Sequence, residues 1–453
     1  MKVPQVLENL FLLLLSLVVF SCKTPATVDA PQFKGPIHPL QTEKDLDALI
    51  DQIGDRKIVL LGEASHGTTE YYSWRAAISK RLIQEKGFQM IAIEGEWADS
   101  YRVNKFIKGT LKDSLQVVSL LKQYDRWPTW MWGNYEIAKL VGWLNRYNQQ
   151  KAANAKVSFY GMDVYCLWES MEELMPYIQG NDSLMRMAEA AKTCFQPYSS
   201  DAVQYAVAVR DASENCKAQV LRLYQAVLSY TASQKLDAEA KLLMQQHSFV
   251  ALNGEKYYSA AATSNASSWN VHDRHMGATV KRLMDHHGPE AKMIIWAHNT
   301  HVGDARYTDM AAAGMTNLGQ IIREFYGPEN VYIVGFGSYT GKVTAADSWG
   351  GSTRTMRVPK ARRGSWEDLL HQSSPSNKLL FSNELRKQPK LMNAIGHRAI
   401  GVQYDPAIER RNYVPSVIPE RYDAFLFFDE TSALRPLPTI KRNEPPDTYP
   451  SGY

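Results

Sequence analysis

One pattern recurs along the chain: a short run of apolar residues that stops at a turn carrying acidic or histidine side chains. Four such runs lie at 58–61, 89–93, 156–160 and 291–296. Each has the length of a strand, and helical periodicity fills the intervals between them. Further strands are predicted at 330–337 and 422–429, with a loop-rich stretch over 338–420. Strands that alternate with helices form parallel sheets, so the pattern predicts an α/β fold with a central, mostly parallel sheet flanked by helices.

The turns that follow the four runs carry the candidate site residues. These are Glu63 and His66 after the first run, Glu94 after the second, Asp163 after the third, and His298 and His301 after the fourth. In open α/β sheets ligands bind outside the carboxyl ends of the strands, so we expect these side chains to meet at one edge. Glu63 and His66 have the spacing of a general base and its orienting partner. Arg75, in the next helix, could reach a carboxylate or a developing oxyanion.

Two further regions are expected to shape a ligand pocket. The loop 126–132 is crowded with indoles, and we select Trp127 and Trp130 in it, together with Asp163, as substrate-binding candidates. A packed loop that covers the core is the other interpretation of these tryptophans. Residues 166 to about 256 show helical patterns and no strand pattern. We interpret them as an α-helical insertion or cap over the strand ends, where substrate selectivity commonly resides.

The N-terminus has the pattern of a targeting segment. An apolar run from Leu10 to Phe20, too short to span a bilayer as a helix, is followed at once by Ser21-Cys22. This order is typical of a bacterial lipoprotein signal, so we predict a signal peptide over 1–21 and lipidation at Cys22. An ordinary cleaved signal and an uncleaved anchor are the alternatives. All three place the protein in the cell envelope, as a periplasmic or outer-membrane-anchored protein.

The rest of the chain is predicted to be a tether (22–42), one catalytic domain (43–435) that includes the helical insertion, and a flexible proline-rich tail (436–453). The net charge of +4 is spread along the chain without a basic block, which argues against nucleic acid as a partner. The oligomeric state is not predicted.

Three cysteines remain after Cys22, and their number is odd. An oxidising compartment would allow Cys194 and Cys216 to pair across a helical hairpin, leaving Cys166 free. No Cys-x-x-Cys spacing exists, so a zinc site built from thiolates is not expected.

Several kinds of chemistry suit the predicted site. In the first, His66 activates water, Glu63 or Glu94 holds its tautomer, and His298 or Arg75 stabilises the oxyanion of an attacked ester. In the second, histidines and carboxylates bind a divalent metal that lowers the pKa of its water. A serine triad is the weakest option, because the chain has no Gly-x-Ser-x-Gly elbow. A ligand-binding envelope protein without turnover is the non-enzymatic alternative.

Taken together, the motifs resemble the erythromycin esterase family. The resemblance rests on five segments in the same order, covering roughly residues 43–430: Gly62-Glu63-Ala-Ser-His66-Gly-Thr-Thr-Glu70, Ile93-Glu94, Trp132 to Asn148, Phe159-Tyr-Gly-Met-Asp163, and Trp296-Ala-His298-Asn-Thr-His301. It implies an α/β fold with a large helical portion, and an enzyme that hydrolyses the lactone ester of macrolide antibiotics with no metal or other cofactor.

By position, the resemblance implies a role for each candidate. His66 resembles the family's water-activating base, Glu63 and Glu94 its essential carboxylates, and Arg75 its active-site arginine. The pair His298 and His301 matches its late histidines. One segment departs from the family: where members tend to carry Arg-Asp…Met-Ala-x-Asn, this chain has His272-Asp273-Arg-His-Met276-Gly-Ala-Thr279. The departure bears on macrolide specificity more than on hydrolytic chemistry.

Overall fold

A computed structural model describes residue 33 and residues 35–111, 116–198, 201–212 and 215–438 of the 453-residue chain. The predicted signal peptide, the lipidation site Cys22, most of the tether and the end of the tail lie outside these residues, so they remain predictions. Within the described ranges, no helix is both long enough and apolar enough to cross a membrane.

Strands and helices alternate along most of the chain. The strands are β1 (His38–Pro39), β2 (Ile58–Leu61), β3 (Met90–Ile93), β4 (Ser158–Gly161), β5 (Met293–Trp296), β6 (Val331–Ala345), β7 (Arg354–Val358), β8 (Lys378–Phe381), β9 (Ile395–Arg398), β10 (Tyr413–Ser416) and β11 (Ala424–Thr431). The helices up to β5 are α1 (Asp47–Ile53), α2 (Thr69–Lys86), α3 (Trp97–Lys108), α4 (Val117–Leu121), α5 (Tyr135–Gln149), α6 (Leu167–Ile178), α7 (Asp182–Phe195), α8 (Ala202–Ala212), α9 (Lys217–Ser233), α10 (Ala238–Ala261) and α11 (Asn265–His287). Those after β5 are α12 (Asn299–Val302), α13 (Leu318–Tyr326), α14 (Trp366–Ser373), α15 (Ser382–Leu385) and α16 (Ile418–Arg421).

Nine strands form the central sheet, in the order β1-β8-β11-β6-β2-β5-β3-β4 with β7 attached to β6. The six neighbours from β11 to β4 are parallel, whereas β1, β7 and β8 pair in the antiparallel sense. Strands β9 and β10 form a separate antiparallel pair. The predicted α/β fold with a mostly parallel sheet is confirmed.

The strands that precede the candidate site end level with one another. Leu61 of β2 and Ile93 of β3 both pair with Trp296 of β5, and Ile93 also pairs with Gly161 of β4. Strand β5 lies between β2 and β3 although it comes much later in the chain. Because the strands are parallel and in register, the turns after them emerge side by side at one edge of the sheet.

Both faces of the sheet are covered, so its central strands β2, β3 and β5 are apolar at every position rather than alternating. Along β2, Val59 and Leu61 pack into the core with α1, α2 and α5, whereas Ile58 and Leu60 pack on the opposite face with α11 and α13. All four side chains are inaccessible to solvent. This two-sided burial explains why the short aliphatic runs identify the sheet.

The helical insertion spans α6 to α10 and has a core of its own. A disulfide joins Cys194 at the end of α7 to Cys216 just before α9, and Cys166 is free and buried. The predicted cysteine pairing is therefore confirmed.

The region after β5 is more regular than predicted. Strand β6 does not stop near Gly337 but continues to Ala345, because β11 pairs with it as far as Gly341 and β7 pairs with it from there. The stretch 338–420, expected to be loop-rich, also contains β8, β9, β10 and three helices. These strands are as short as β2, β3 and β5, but charged residues, histidine, glycine or proline interrupt them, so no apolar run of four residues marks them.

Candidate functional site

A cleft of about 710 Å³ opens where β2, β3 and β4 end, and Tyr257 of α10 in the helical insertion contributes to its wall. Its strand-end part is formed by His66, Glu94 and Asp163. What we call its Arg126 part is formed by Glu96, Asp99 and Arg126, which also line an adjoining cavity. Six aromatic rings contribute to the walls: Tyr124, Trp127, Trp132, Tyr165, Tyr257 and Trp349.

His66 is held by a buried chain of polar side chains. Its Nδ1 lies 3.0 Å from Oε1 of Glu63, and Oε2 of Glu63 accepts a hydrogen bond of 2.6 Å from Arg75. All three residues are buried. With Nδ1–H donated to the carboxylate, Nε2 is the nitrogen of His66 that can take a proton.

Arg75 compensates the charge of Glu63 inside the protein. Its guanidinium lies between the rings of Tyr72 and Trp296, at 4.5 and 4.6 Å from their centroids. A buried carboxylate needs such a counter-ion, since leaving it unpaired would cost several kcal/mol. Of the two roles predicted for Arg75, its position fits contact with a carboxylate, and it does not line the cleft.

The turn that presents His66 depends on a glycine. Gly67 packs against β6, and a Cβ atom at this position would lie 1.8 Å from the carbonyl oxygen of Thr344. The Gly67 carbonyl also accepts a backbone hydrogen bond from Thr344. The close approach fixes the direction in which the chain leaves β2, and with it the position of His66.

Glu94 connects the ends of β3 and β5. Its Oε2 accepts a hydrogen bond of 2.7 Å from the backbone N–H of His298, and its Oε1 lies 3.4 Å from Nε2 of His301. It also lines the cleft. The carboxylate therefore both orders the turn after β5 and contributes negative charge to the cleft.

His298 is a neutral hydrogen-bond donor. Its Nδ1 accepts a hydrogen bond from the backbone N–H of Thr300, so the proton of the neutral ring resides on Nε2. Burial, together with the nearby His66 and His301, holds the pKa of His298 well below its usual value. Nε2 has no hydrogen-bond partner among the described residues. The His298 ring lies 4.8 Å from that of His66, and His298 is fully buried and does not line the cleft.

The pKa of His301, three residues later, shifts in the opposite direction. Its Nδ1 lies 3.0 Å from both carboxylate oxygens of Asp273, and its ring stacks on Trp269 with centroids 4.4 Å apart. Burial disfavours the charged ring, but Asp273 and Glu94 outweigh burial and raise its pKa. The surroundings of His301 therefore favour its charged form next to Glu94.

A second histidine–carboxylate pair adjoins His301. Nε2 of His272 lies 2.5 Å from Oδ1 of Asp163, and the rings of His272 and His301 are 5.1 Å apart. Burial opposes the charge on His272, but Asp163 outweighs it and raises the pKa to about 9. Conversely, burial favours the neutral form of Asp163, but His272 holds its pKa below the usual value. The pair is ionic at neutral pH.

Residues 83–431 match the family model described as erythromycin esterase. The chain belongs to the erythromycin esterase family. It is 24% identical over 370 residues to erythromycin esterase type II of Escherichia coli, which covers 76% of this chain and 85% of the relative. The family match includes Glu94, His298 and His301 but begins after Glu63, His66 and Arg75.

Two solved structures share the fold. A Bacillus cereus protein is similar with a TM-score of 0.73 at 21% identity, covering 88% of this chain and 96% of the other. A mutant of the erythromycin esterase EreC in its open conformation is similar with a TM-score of 0.65 at 16% identity, covering 87% and 95%. This member of the erythromycin esterase family is therefore a hydrolase by membership and shares their architecture.

One of the three predicted substrate-binding residues does not line the cleft. Trp127 and Asp163 line the cleft, but Trp130 does not. Its side chain is fully buried and meets the edge of Trp127, with centroids 5.6 Å apart. Trp130 thus supports the loop from below. The indoles that line the cleft are those of Trp127, Trp132 and Trp349.

The sequence also pointed to a residue without giving its role. His272 was noted only as a departure from the family pattern, yet its pair with Asp163 forms one side of the site. Helical periodicity places His272 on α11, but only the packing of α11 against β4 brings it to Asp163. Glu96, two residues after Glu94, was not selected, although it lines the cleft.

One group of side chains in the described part of the chain could hold a metal ion. His272, Asp273 and His301 each offer a ligand atom within 4.8 Å of those of the others, and all three are buried. Imidazole and carboxylate ligands suit zinc and other divalent metals. The same atoms also take part in the histidine–carboxylate pairs, so the group is satisfied by hydrogen bonding as well.

Proposed function

We propose that this chain hydrolyses a carboxylic ester of a bulky small molecule, with His66 as the base that activates water and without a metal. The observation that carries the proposal is the buried Glu63–His66 pair at the wall of an aromatic cleft. A base oriented by a carboxylate contributes typically 10²–10⁴-fold to such a reaction.

The reaction follows from the positions of His66 and His298. Nε2 of His66 takes a proton from water, and the hydroxide attacks the ester carbonyl while Glu63 stabilises the imidazolium through Nδ1–H. Nε2–H of His298 donates to the oxyanion. When the tetrahedral intermediate collapses, the C–O bond to the alcohol breaks and His66 returns its proton to the leaving oxygen. The products are a carboxylic acid and an alcohol.

The two histidine–aspartate pairs next to Glu94, His272–Asp163 and His301–Asp273, assist this chemistry without taking part in proton transfer. Asp163, Asp273 and Glu94 surround His272 and His301 and favour their charged forms, so opposite charges lie close together there. We assign the two histidines to holding Glu94 and Asp163 in place. Glu94 in turn fixes the backbone of His298 and so the direction of its Nε2–H.

The substrate that we propose is a macrolide lactone or a related bulky ester. The name of the Escherichia coli relative supports this choice, as do the six aromatic rings in the walls of the cleft. His272 stands where the family tends to carry arginine, and it pairs with Asp163, which lines the cleft. We therefore expect a substrate range that differs from that of the relative.

Turnover of erythromycin, followed by mass spectrometry for the gain of one water, tests the proposal. The assay is run with and without a chelator, beside His66→Ala and with a panel of other macrolides. We expect hydrolysis that survives the chelator and is lost in the variant. Saturable binding without product, even at high protein concentration, would instead identify a ligand-binding protein.

Metal-dependent hydrolysis is the second candidate, and the group His272, Asp273 and His301 is the observation that favours it. A divalent ion there would polarise a carbonyl or lower the pKa of a bound water. Activity lost to the chelator and restored by a divalent ion would establish this version and overturn the metal-free one.

We also propose that the protein acts in the cell envelope, anchored through lipid on Cys22. The apolar run that ends at Ser21-Cys22 supports this location, and so does the Cys194–Cys216 disulfide, since disulfides persist in oxidising compartments. Labelling with a radioactive fatty acid, compared between the natural chain and Cys22→Ala, is the test. Equal labelling or equal membrane association in both would contradict the anchor.

A further inference from the structure

Two segments that follow β6 lie side by side and carry exposed cations. The first is 359–363, just after β7, and the second is Pro406–Arg411, just before β10. The buried Arg398 joins them, because its Nη2 donates to the carbonyl of Pro359 and its Nε to Oε1 of Glu409. What we call the basic surface consists of the five exposed cations of these segments: Lys360, Arg362, Arg363, Arg410 and Arg411.

Tyr413 also connects the two segments. The backbone N–H of Arg362 donates to the Tyr413 hydroxyl at 2.9 Å, and the Arg362 guanidinium lies 4.5 Å from the centre of the Tyr413 ring. The Tyr413 hydroxyl in turn donates to Oε1 of Glu409 at 3.2 Å. Arg410 and Arg411 follow Glu409 directly. Cations that the sequence distributes over two segments are therefore brought close to one tyrosine.

Neighbouring carboxylates do not balance the charge of the basic surface. None of its five cations forms an ion pair with a residue that the structure describes. Glu409 is already engaged by Arg398 at 2.7 Å. Asp405 is exposed just before the second segment, and its Oδ1 accepts a hydrogen bond from the backbone N–H of Ala407. Five cations beside one exposed carboxylate leave an excess of positive charge that attracts a polyanion.

An apolar side chain stands among these cations. Ile408 is 45% exposed and lies two positions before Arg410. Pro406 and Ala407 beside it are exposed as well. A single exposed isoleucine is ordinary on a protein surface, but an aliphatic side chain surrounded by basic ones is the composition of a contact with the membrane interface. The basic side chains would meet lipid phosphates, and the isoleucine would enter the boundary of the acyl chains.

The chain enters the fold next to the basic surface. Gly35, near the start of the described residues, lies against Gln388, because a Cβ atom on this glycine would be 2.7 Å from Nε2 of Gln388. From Gln388 the chain continues through Pro389–Met392 to β9. There Gly396 lies so close to Arg362 that a Cβ atom on this glycine would clash with the guanidinium. The entry point and the basic surface are therefore neighbours.

We propose that the basic surface is a docking face for the anionic phospholipid headgroups of the membrane to which Cys22 anchors the chain. Gly35 is thirteen positions after Cys22, and an extended chain of this length reaches at most about 45 Å. The anchor thus keeps the fold within reach of the bilayer. The lipid limits the distance, and the basic surface determines which face of the fold meets the membrane.

Sedimentation with vesicles tests the docking face on the chain 23–453, because none of the omitted residues belongs to the described fold and Cys22 is absent. The vesicles are phosphatidylcholine alone, or phosphatidylcholine and phosphatidylglycerol at about 2 to 1. At about 0.1 M salt we expect binding to the anionic vesicles to be at least about a hundredfold tighter than to the neutral ones. About 0.5 M salt should release the protein, because exposed charges are then screened.

Two double variants remove cations from the two segments separately: Arg362→Gln with Arg363→Gln, and Arg410→Gln with Arg411→Gln. Each basic side chain near an anionic bilayer strengthens binding about fivefold, so each double variant should bind at least about tenfold more weakly. The thermal midpoint of each variant checks its fold. Because the segments are altered separately, a folding defect in one variant leaves the other as the test.

Lys217→Gln with Lys235→Gln is the matched control. These exposed lysines lie at the two ends of α9 in the helical insertion, away from the region that follows β6. The variant loses the same amount of charge as each double variant. Its binding to the anionic vesicles should stay within about twofold of that of the natural sequence, because screening limits the effect of distant charges.

Ile408→Ser distinguishes a bilayer from a soluble polyanion. It should weaken binding to the anionic vesicles at least about threefold and leave the binding of heparin unchanged, because heparin has no apolar layer.

Equal binding to both kinds of vesicle, binding that both double variants retain, or the same loss in the lysine control would overturn the docking face. Heparin bound more tightly than the anionic vesicles, with neither affected by Ile408→Ser, would assign the surface to a soluble polyanion instead. Ester hydrolysis does not enter these measurements, so their outcome is independent of the proposed function.

Discussion

His298 on the β2 side and the pair His272 and His301 on the α11 side have pKa values that shift in opposite directions. On the β2 side, His66 is oriented by Glu63, and the pKa of His298 beside it is lowered by burial and by its neighbours. On the α11 side, His272 and His301 are each paired with an aspartate, and their pKa values are raised. Burial acts on all three rings, so the difference comes from the aspartates that pair with His272 and His301.

This difference separates two tasks within a small volume. His298, whose pKa is lowered, can donate to an oxyanion as a neutral ring, whereas His66 takes its proton beside the Glu63 carboxylate, which Arg75 compensates. Holding carboxylates such as Glu94 and Asp163 in fixed positions needs cations. If the comparison is correct, substitutions on the β2 side should act on turnover, and those on the α11 side should act mainly on stability.

The largest effect is expected from His66→Ala. It removes the proposed base, so kcat/KM for the best ester should fall by at least about 10³. The fold should persist, because Glu63 keeps its bond to Arg75. Measurement of initial rates and of the thermal midpoint for both proteins checks this. Substantial turnover in the variant would show that the base is not His66 but a residue on the α11 side.

His298→Ala should follow, with a decrease in kcat of about 10²-fold and little change in KM, because a donor to the oxyanion acts in the transition state. Thr300→Val is the control: it removes the hydroxyl beside Nδ1 but keeps the backbone N–H that sets the tautomer. An unchanged kcat in His298→Ala would show that the donor is elsewhere.

His272→Gln tests the charged side through stability. The folded pKa of about 9 lies above the ordinary value of 6.5, so the stabilisation is complete below about pH 6.5 and is lost as the pH rises through about 9. Relative to His272→Gln, the natural chain should gain roughly 3 kcal/mol at low pH, and less as the pH rises. Urea unfolding across this range measures it.

His272→Arg is the matched control for that experiment. Arginine keeps its charge at every accessible pH, so the pair with Asp163 should remain and the loss of stability near pH 9 should disappear. The same slope in both proteins would show that His272 is not the titrating group.

The smallest effect on turnover is expected from Cys194→Ser combined with Cys216→Ser. The disulfide closes a loop of 22 residues inside the insertion, so its loss should cost about 3 kcal/mol of unfolding free energy. It touches neither side of the site, and kcat/KM should stay within about twofold. Calorimetry and initial rates separate the two outcomes. A large loss of turnover would show that the helical insertion also determines the geometry of the site.

Sequence reasoning succeeded where a local pattern determines position. The aliphatic runs before Glu63, Glu94, Asp163 and His298 predicted parallel strands, and parallel strands bring their following turns together. That argument needs no knowledge of how the helices pack. It fails for His272, whose partner Asp163 is 109 positions earlier and is reached only through the packing of α11.

Two other differences have similar causes. The sequence shows that 126–132 is rich in indoles, but not which rings face outward, because Trp127 and Trp130 differ only in tertiary contacts. Strand β6 was predicted too short because Ser338 and Thr340 interrupt its apolar run. Its partners β11 and β7 supply the hydrogen bonds that continue it to Ala345.

The place of β5 between β2 and β3 affects how the chain must fold. The hydrogen bond from His298 to Glu94 joins residues 204 positions apart, so the centre of the sheet closes only after the helical insertion has been made. Such long-range pairing raises contact order and slows folding, and until β5 arrives the facing edges of β2 and β3 are unpaired. We expect refolding to be slow and prone to aggregation until β5 pairs with both edges.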